Sequence, residues 1–310
     1  MTGLVADAGA HLRWDVVADI QQVLAYHFMV NALRSATITA VVAGITGWFM
    51  VLRRQTFVGH TLSVVSFPGA AGALVAGVAT GWGYFGLCVA AAMVISAIPY
   101  SADRRGFSAE SAVVGVIQAF ALGCGFLFAH LYHGFLSSTL DNLLFGTLLG
   151  VTDDQVWALA AVAVTAVAAL TVIGRPLLFS SVDPAVAAAR GVPVRVVSAV
   201  FLVVLAMAVA EISQITGALL VFALLVMPAA AAQQLTIRPS RGLALSVVIG
   251  VVVAWLGVGV SYFSSYPTGF FLTSFGFIAY TGAVASNRVR AALGRRPTAP
   301  PPVPITSVAR

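Results

Sequence analysis

The 310-residue chain is 60% hydrophobic and only 8% charged, with a mean hydropathy of +1.00. A soluble domain carries about a quarter charged residues, so lipid is the solvent over most of this surface and a soluble globular fold is excluded. The formal net charge of +6 comes from 16 basic residues, all arginine; they fall between apolar runs, where the positive bias of cytoplasmic loops accounts for them, and nucleic-acid binding is set aside.

The first 25 residues carry Asp7, Asp15 and Asp19 and lack a basic start followed by an apolar run. They read as an extracytoplasmic segment and not as a secretory signal. A spanning helix needs roughly 20 mostly apolar residues, and nine such runs follow, at about 31–52, 61–80, 83–99, 111–131, 155–174, 195–213, 215–235, 242–262 and 267–285. The stretch 138–150 is apolar but too short to span, so it reads as a re-entrant or interfacial piece buried against protein. The expected fold is an all-α polytopic membrane protein of about nine spans, its membrane domain covering 26–290. The tail over 291–310 is proline-rich and is expected to be extended or disordered.

Orientation follows from the arginines. Arg53 and Arg54, Arg104 and Arg105, Arg175 with Arg190 and Arg195, Arg238 and Arg241, and the group from Arg288 to Arg296 all occupy alternate connections. These connections are cytoplasmic, which places the N-terminus outside, the C-terminus inside, and the chain in a bacterial plasma membrane. Cys88 and Cys124 lie inside apolar runs and read as packing residues, without a disulfide.

No run carries an ionisable residue at its centre; Glu211 falls at the outer end of the sixth. Carriers that couple to ions use such groups, so the pattern fits a pore moved by another subunit better than a carrier. Pro68-Gly69 and Pro228 are expected to break or kink their helices. Ser63, Ser66 and Gln118 are polar groups inside runs that can line a path, although hydroxyls and amides in helices more often bond to backbone or to a neighbouring helix. His130 and His133 end the fourth run on the outer side, either as a loading point for metal or as a solvated helix end. His60 lies near a cytoplasmic end beside Arg53 and Arg54 and reads equally as a metal contact or an interfacial histidine.

Between the fifth and sixth runs the chain reads DPAVAAARGVP. Asp183 can cap a helix whose first residue is Pro184, the alanines propagate it, and Gly191 with Pro193 stops it. Two specified ends on so short a cytoplasmic helix read either as a docking surface or as an ordinary connector.

Several segments, in order, resemble one family: YHFMVNAL with GITGWFMVLRRQTFVGHTLSVVSFPGAAGALVAG, then DNLLFGTLLGVTDDQ, SVDPAVAAARGVPVRVV, ITGALLVFALLVMPAAAAQQL and SYFSSYPTGFFLTSFGFIAY. Together they resemble the permease subunits of zinc- and manganese-type metal ABC importers over about residues 25–285. The resemblance implies a membrane channel that performs no chemistry and holds no permanent cofactor, its cargo a divalent transition-metal ion, zinc first, then manganese or ferrous iron. It implies as partners a cytoplasmic ATP-binding subunit, an extracytoplasmic metal-binding protein and a second permease copy. The chain itself has no phosphate-cradling G-x-x-x-x-G-K-[ST] loop. The resemblance also makes 183–194 the coupling helix, with Asp183, Pro184, Ala187, Arg190 and Gly191 as its residues. A permease for a metal chelate such as a siderophore or corrinoid is the alternative within the same machinery, and an ATPase-independent channel or carrier the alternative outside it.

The sequence departs from the family at one place. There, the turn into the second helix usually carries an aspartate followed one helical turn later by a histidine, side chains that share a face. Here the positions hold His60 and Val64. A single imidazole suits zinc but lacks the oxygen partner that suits manganese.

Overall fold

The structure is a computed structural model that describes residues 21–22, 24–97, 104–132, 137–146, 148–264 and 266–294. The tail beyond 294, most of the N-terminal segment and His133 lie outside the described residues. The described elements are helical: α1 His27–Leu52, α2 Thr56–Val75, α3 Thr80–Ala97, α4 Arg104–Leu131, α5 Ser137–Phe145, a 3-10 turn Leu148–Gly150, α6 Asp153–Val182, α7 Pro184–Ala189, α8 Val194–Thr216, α9 Val221–Leu235, α10 Pro239–Tyr262 and α11 Thr268–Gly294. Among them, eight are long and apolar enough to cross a membrane, and α9 is a shorter apolar helix. Each of the nine expected runs is centred on one of these helices.

α1 forms the centre. It packs against α10, α9, α6 and α8, while α2 binds α3 and α4, α3 leans on α8, and α11 closes over α9 and α10. Small residues permit this crowding. A Cβ on Gly44 would come within 2.8 Å of the Val247 backbone, and one on Gly47 within 2.0 Å of the Leu225 carbonyl oxygen. In lipid there is little hydrophobic force between helices, so close backbone approach and hydrogen bonds hold them together. Ser246 Oγ donates to the Gly44 carbonyl at 2.8 Å and Trp255 Nε1 donates to Thr37 Oγ1 at 2.8 Å, both between α1 and α10.

Two expectations change. The second span runs Thr56–Val75 and not 61–80. Arg54 adopts a φ of 57° and reverses the chain directly after α1, so α2 starts before its hydropathy rises, and Gly77 at φ 69° ends the turn after it. The helices also continue through their prolines: Pro68 lies inside α2, Pro228 inside α9 and Pro176 inside α6. Of the expected break or kink, the break is therefore ruled out at both Pro68 and Pro228. Gly69 instead serves close contact, because a Cβ there would meet the Gly83 carbonyl oxygen at 2.4 Å, and one on Gly83 would meet the Gly69 carbonyl at 2.1 Å.

The true interruption lies between α8 and α9. Gly217 has φ 75°, and the re-entrant α5 fills the gap it opens: Ala218 N–H donates to the Leu143 carbonyl and Leu219 N–H to the Leu144 carbonyl, each at 3.2 Å. Gly146, at φ 80°, meets the same corner, where a Cβ would lie 2.1 Å from the Ile215 carbonyl oxygen. Irregular backbone at membrane depth must find partners in protein, and α5 supplies them. The 138–150 stretch is therefore a helix and a 3-10 turn packed against the break, as its length required.

Candidate translocation path and cytoplasmic coupling site

His60 lies in the first turns of α2, partly buried, with its ring edge-on to Phe222 at 5.0 Å between centroids. Phe222 is the second residue of α9, so the imidazole faces the half-helix that begins at the Gly217 interruption. His60 Nδ1 is buried and has no hydrogen-bond partner, an open lone pair or N–H in an apolar setting. Val64, one turn on, is also partly buried. Among the described residues, no three His, Cys, Asp or Glu side chains gather closely enough to hold a metal ion.

The remaining polar candidates are engaged in packing bonds. Ser63 Oγ donates to the His60 carbonyl at 2.7 Å and Ser66 Oγ to the Ser63 carbonyl at 2.6 Å. Gln118 Oε1 accepts from Thr61 Oγ1 at 2.9 Å and ties α4 to α2. His130 is exposed in the last turn of α4. His27 Nε2 pairs with Asp153 Oδ2 at 2.9 Å, and Asn31 Nδ2 donates to Asp153 Oδ1 at 2.9 Å, joining the outer ends of α1 and α6. Cys88 and Cys124 are free thiols.

Glu211 departs from its sequence reading. It is fully buried, several residues inside α8, and neither carboxyl oxygen has a hydrogen-bond partner. Hydropathy placed it at a span's end because α8 extends to Thr216, beyond the apolar run that ends near 213. The sixth and seventh runs divide at Gln214, whereas the helix continues to Thr216.

At the cytoplasmic end the local chemistry follows the sequence closely. α7 is capped by Asp183, whose Oδ1 accepts from the Val186 N–H at 2.9 Å, and Pro184 is its first residue. Gly191 at φ 81° ends the reversal after Arg190, where Val192 N–H donates to the Ala187 carbonyl at 3.0 Å. Ala187 is buried, whereas Val186, Ala188 and Arg190 are exposed. The helix thus offers one side to solvent and seats the other on α6 and α8.

Arg53 was legible only as an orientation signal. In the fold it joins three elements: Nη1 donates to Ser181 Oγ at 3.2 Å and Ser180 Oγ at 3.4 Å, Nη2 donates to Ser198 Oγ at 2.6 Å, and Nε donates to Gln55 Oε1 at 3.3 Å. Its guanidinium stands 5.6 Å from the centre of the buried Phe201 ring. The serine pair Ser180-Ser181 just before Asp183 was the available signal, and a hydroxyl pair has too many uses to point to an arginine.

Comparison with known proteins places this arrangement. The ABC 3 transport family matches residues 25–286. The chain is similar to the manganese transport system membrane protein MntC of Halalkalibacterium halodurans, 28% identical over 245 residues that cover 78% of this chain and 80% of the relative. It is similar to the chelated iron transport system membrane protein YfeC of Yersinia pestis, 29% identical over 281 residues that cover 87% and 93%. Among solved structures, that of PsaBC from Streptococcus pneumoniae in complex with Fab has the same fold, with a TM-score of 0.78 at 24% identity over 90% of this chain and 100% of that one.

Proposed function

The chain belongs to the ABC 3 transport family, a multi-pass bacterial membrane permease whose ATP hydrolysis resides in a separate subunit, and on that premise we propose that it imports a divalent transition-metal ion. The observation that carries the choice of cargo is the match over nearly the whole membrane domain to relatives named for manganese and for chelated iron. Those names put manganese and iron ahead of zinc. His60 bears on the iron part of this reading: its Nδ1 is buried without a partner beside Phe222, and imidazole suits ferrous iron, whereas the oxygen partner that suits manganese is absent from this position. One imidazole is a weak site by itself. His130, exposed at the outer end of α4, is available where the delivery protein docks.

In this mechanism an extracytoplasmic metal-binding protein delivers the ion. The ATP-binding subunit seats on the exposed side of α7 through Val186, Ala188 and Arg190, and its closure shifts the helices between outward and inward openings. Ser63, Ser66 and Gln118 serve the packing of the path's walls, since each is committed to a helix bond.

The test is ATP-dependent uptake into proteoliposomes that contain the permease, its ATP-binding subunit and its binding protein. Manganese and ferrous iron are expected to enter at the expense of ATP, and His60→Ala to lower uptake at least tenfold. A second reading, a permease for a metal chelate, is favoured by the relative named for chelated iron. It predicts that only the chelate enters and that His60→Ala leaves uptake unchanged. Uptake without ATP overturns both.

A further inference from the structure

We propose that Arg53 is the positioning residue that makes the coupling helix and the centre of the membrane domain move as one body. The inference rests on the reading of α7 as the seat of the ATP-binding subunit. It goes further by naming the contact through which a push on α7 reaches α1.

α7 is six residues long and cannot by itself hold a direction, since isolated helices shorter than about 12–15 residues are marginal. Its motion is passed on through whatever fixes its two flanks. The flank before it is the end of α6, where Ser180 is buried and Ser181 half-buried; the flank after it is the start of α8, where Ser198 lies in the second turn. Arg53 reaches both flanks at once, with Nη1 on Ser180 and Ser181 and Nη2 on Ser198.

The serine hydroxyls on α6 are set up to accept. Ser180 Oγ and Ser181 Oγ both donate their protons to the Leu177 carbonyl, which leaves their lone pairs for the guanidinium. Phe201, one turn after Ser198 and fully buried, presents its ring to the same cation at 5.6 Å. A guanidinium is a rigid planar fork with donors fixed in direction, so these contacts fix the angle between α6 and α8 as well as their distance. The backbone that carries Arg53 is just as constrained. Arg53 caps α1, and the next residue, Arg54, turns the chain at φ 57° into α2, which bears His60. A displacement at α7 therefore arrives at α1 and at the base of α2 without a flexible link between.

Residue type and position match this role and not only a topological one. Arg54, its neighbour, is exposed and marks the cytoplasmic side equally well, while Arg53 turns inward onto three serines and an aromatic ring. Lysine would satisfy the charge bias but would offer a point charge in place of the fork.

The experiment uses the complete permease–ATPase complex in nanodiscs, with spin labels on cysteines placed at Ala185 on α7, away from Val186, Ala188 and Arg190, and at Phe57 at the start of α2, both exposed. The distance between labels is read by pulsed electron resonance in the nucleotide-free and nucleotide-trapped states, for wild type, Arg53→Gln, Arg53→Lys and the triple variant Ser180→Ala/Ser181→Ala/Ser198→Ala. The expected result is one narrow distance that is the same in both states of the wild type. In Arg53→Gln and in the triple variant it should broaden or shift on trapping, with Arg53→Lys intermediate. Co-purification of the ATP-binding subunit should be unchanged in all, because Val186, Ala188 and Arg190 are left in place. A distance that changes between states in the wild type overturns the proposal, and so does a single unchanged distance in Arg53→Gln. Where uptake is measurable, ions moved per ATP hydrolysed should fall about fivefold in Arg53→Gln; loss of transport and hydrolysis in equal measure indicates a purely structural role and also overturns it. The distance readout needs no cargo, so it is independent of whether the metal reading stands.

Discussion

Gly217 has two separate reasons to be glycine. Its φ of 75° lies where a Cβ is strained, and a Cβ built there would fall 2.3 Å from the Leu144 carbonyl oxygen, a backbone atom that cannot rotate away. Gly77 shares the positive φ, 69°, but faces open space. Gly77→Ala is therefore expected to cost about 1 kcal/mol, while Gly217→Ala should cost several times that and displace α5; thermal unfolding in detergent separates the two. Gln118 invites a second test at this scale. Its bond to Thr61 joins two helices, and interhelical bonds in membranes are worth roughly 0.6–2 kcal/mol. Gln118→Leu should lower stability by about 1 kcal/mol and leave metal uptake near wild type; a large loss of uptake at unchanged stability would place Gln118 on the ion's route. Residue roles were the least legible part of the sequence. The fate of Ser63 and Ser66 followed from the general habit of hydroxyls in helices, but Glu211 and Arg53 depend on what another helix places beside them, and no local pattern encodes that.

Elements were far more legible, because each rests on a signal that acts within a few residues. The nine runs are long and apolar, and lipid leaves such a segment no choice but helix. α7 is the clearest case: cap, first proline and stopping glycine were all readable, and all three do in the fold what their chemistry dictates. Where the signal was less local, it misled. Hydropathy could not see that Arg53–Gln55 suffices as a turn, so α2 was placed five residues late. Nor could it separate a proline that interrupts a helix from one that rides within it; the interruption lies at Gly217, whose partner α5 is some 70 positions away in sequence. The cap of α7 is also testable. Asp183→Ala removes the bond to the Val186 N–H, which at helix starts is worth about 1 kcal/mol. On a helix this short that loss should fray the face proposed to dock the ATP-binding subunit, and the fraction of that subunit retained in co-purification should fall. Asp183→Asn and Asp183→Ser, which preserve an accepting oxygen, should retain it.

The molecule as a whole is a shell around three interior spans. In α1, α2 and α8, 67%, 72% and 67% of the most apolar window is buried, against 17–33% in α3, α4, α6, α10 and α11. A helix that is apolar on every side can sit in either layer, so hydropathy alone does not assign the layers; Gly44 and Gly47 of α1 and Gly69 of α2 mark interior helices by the close backbone approach they permit. Orientation is a property of this scale too. An odd number of crossings with arginine in alternate connections puts α7 and the end of α11 on the cytoplasmic side and the α2–α3 turn outside. Single cysteines at Ala188, on α7, and at Val78, in the α2–α3 turn, are both exposed and test this, in intact cells that express the permease without its ATP-binding subunit, with a thiol reagent that does not cross membranes. The cysteine at Val78 should be labelled before lysis and that at Ala188 only after it. The opposite order would invert the molecule, and labelling of both before lysis would mean that one of α3, α4 and α6 does not cross or that α5 does. The 15-residue α9 lies beyond both probes. It is short by itself for a bilayer core of about 30 Å, and it completes its crossing only with the Gly217–Leu220 corner that α5 covers. The outcome at Ala188 alone does not show whether α9 crosses, because α7 precedes it; a third cysteine at Arg288, exposed near the end of α11, does. Protection of Arg288 before lysis, together with protection of Ala188, requires an even number of crossings between them; α8, α10 and α11 are each long enough to span, so α9 must then be the fourth, and the broken pair of α8 and α9 counts as two spans.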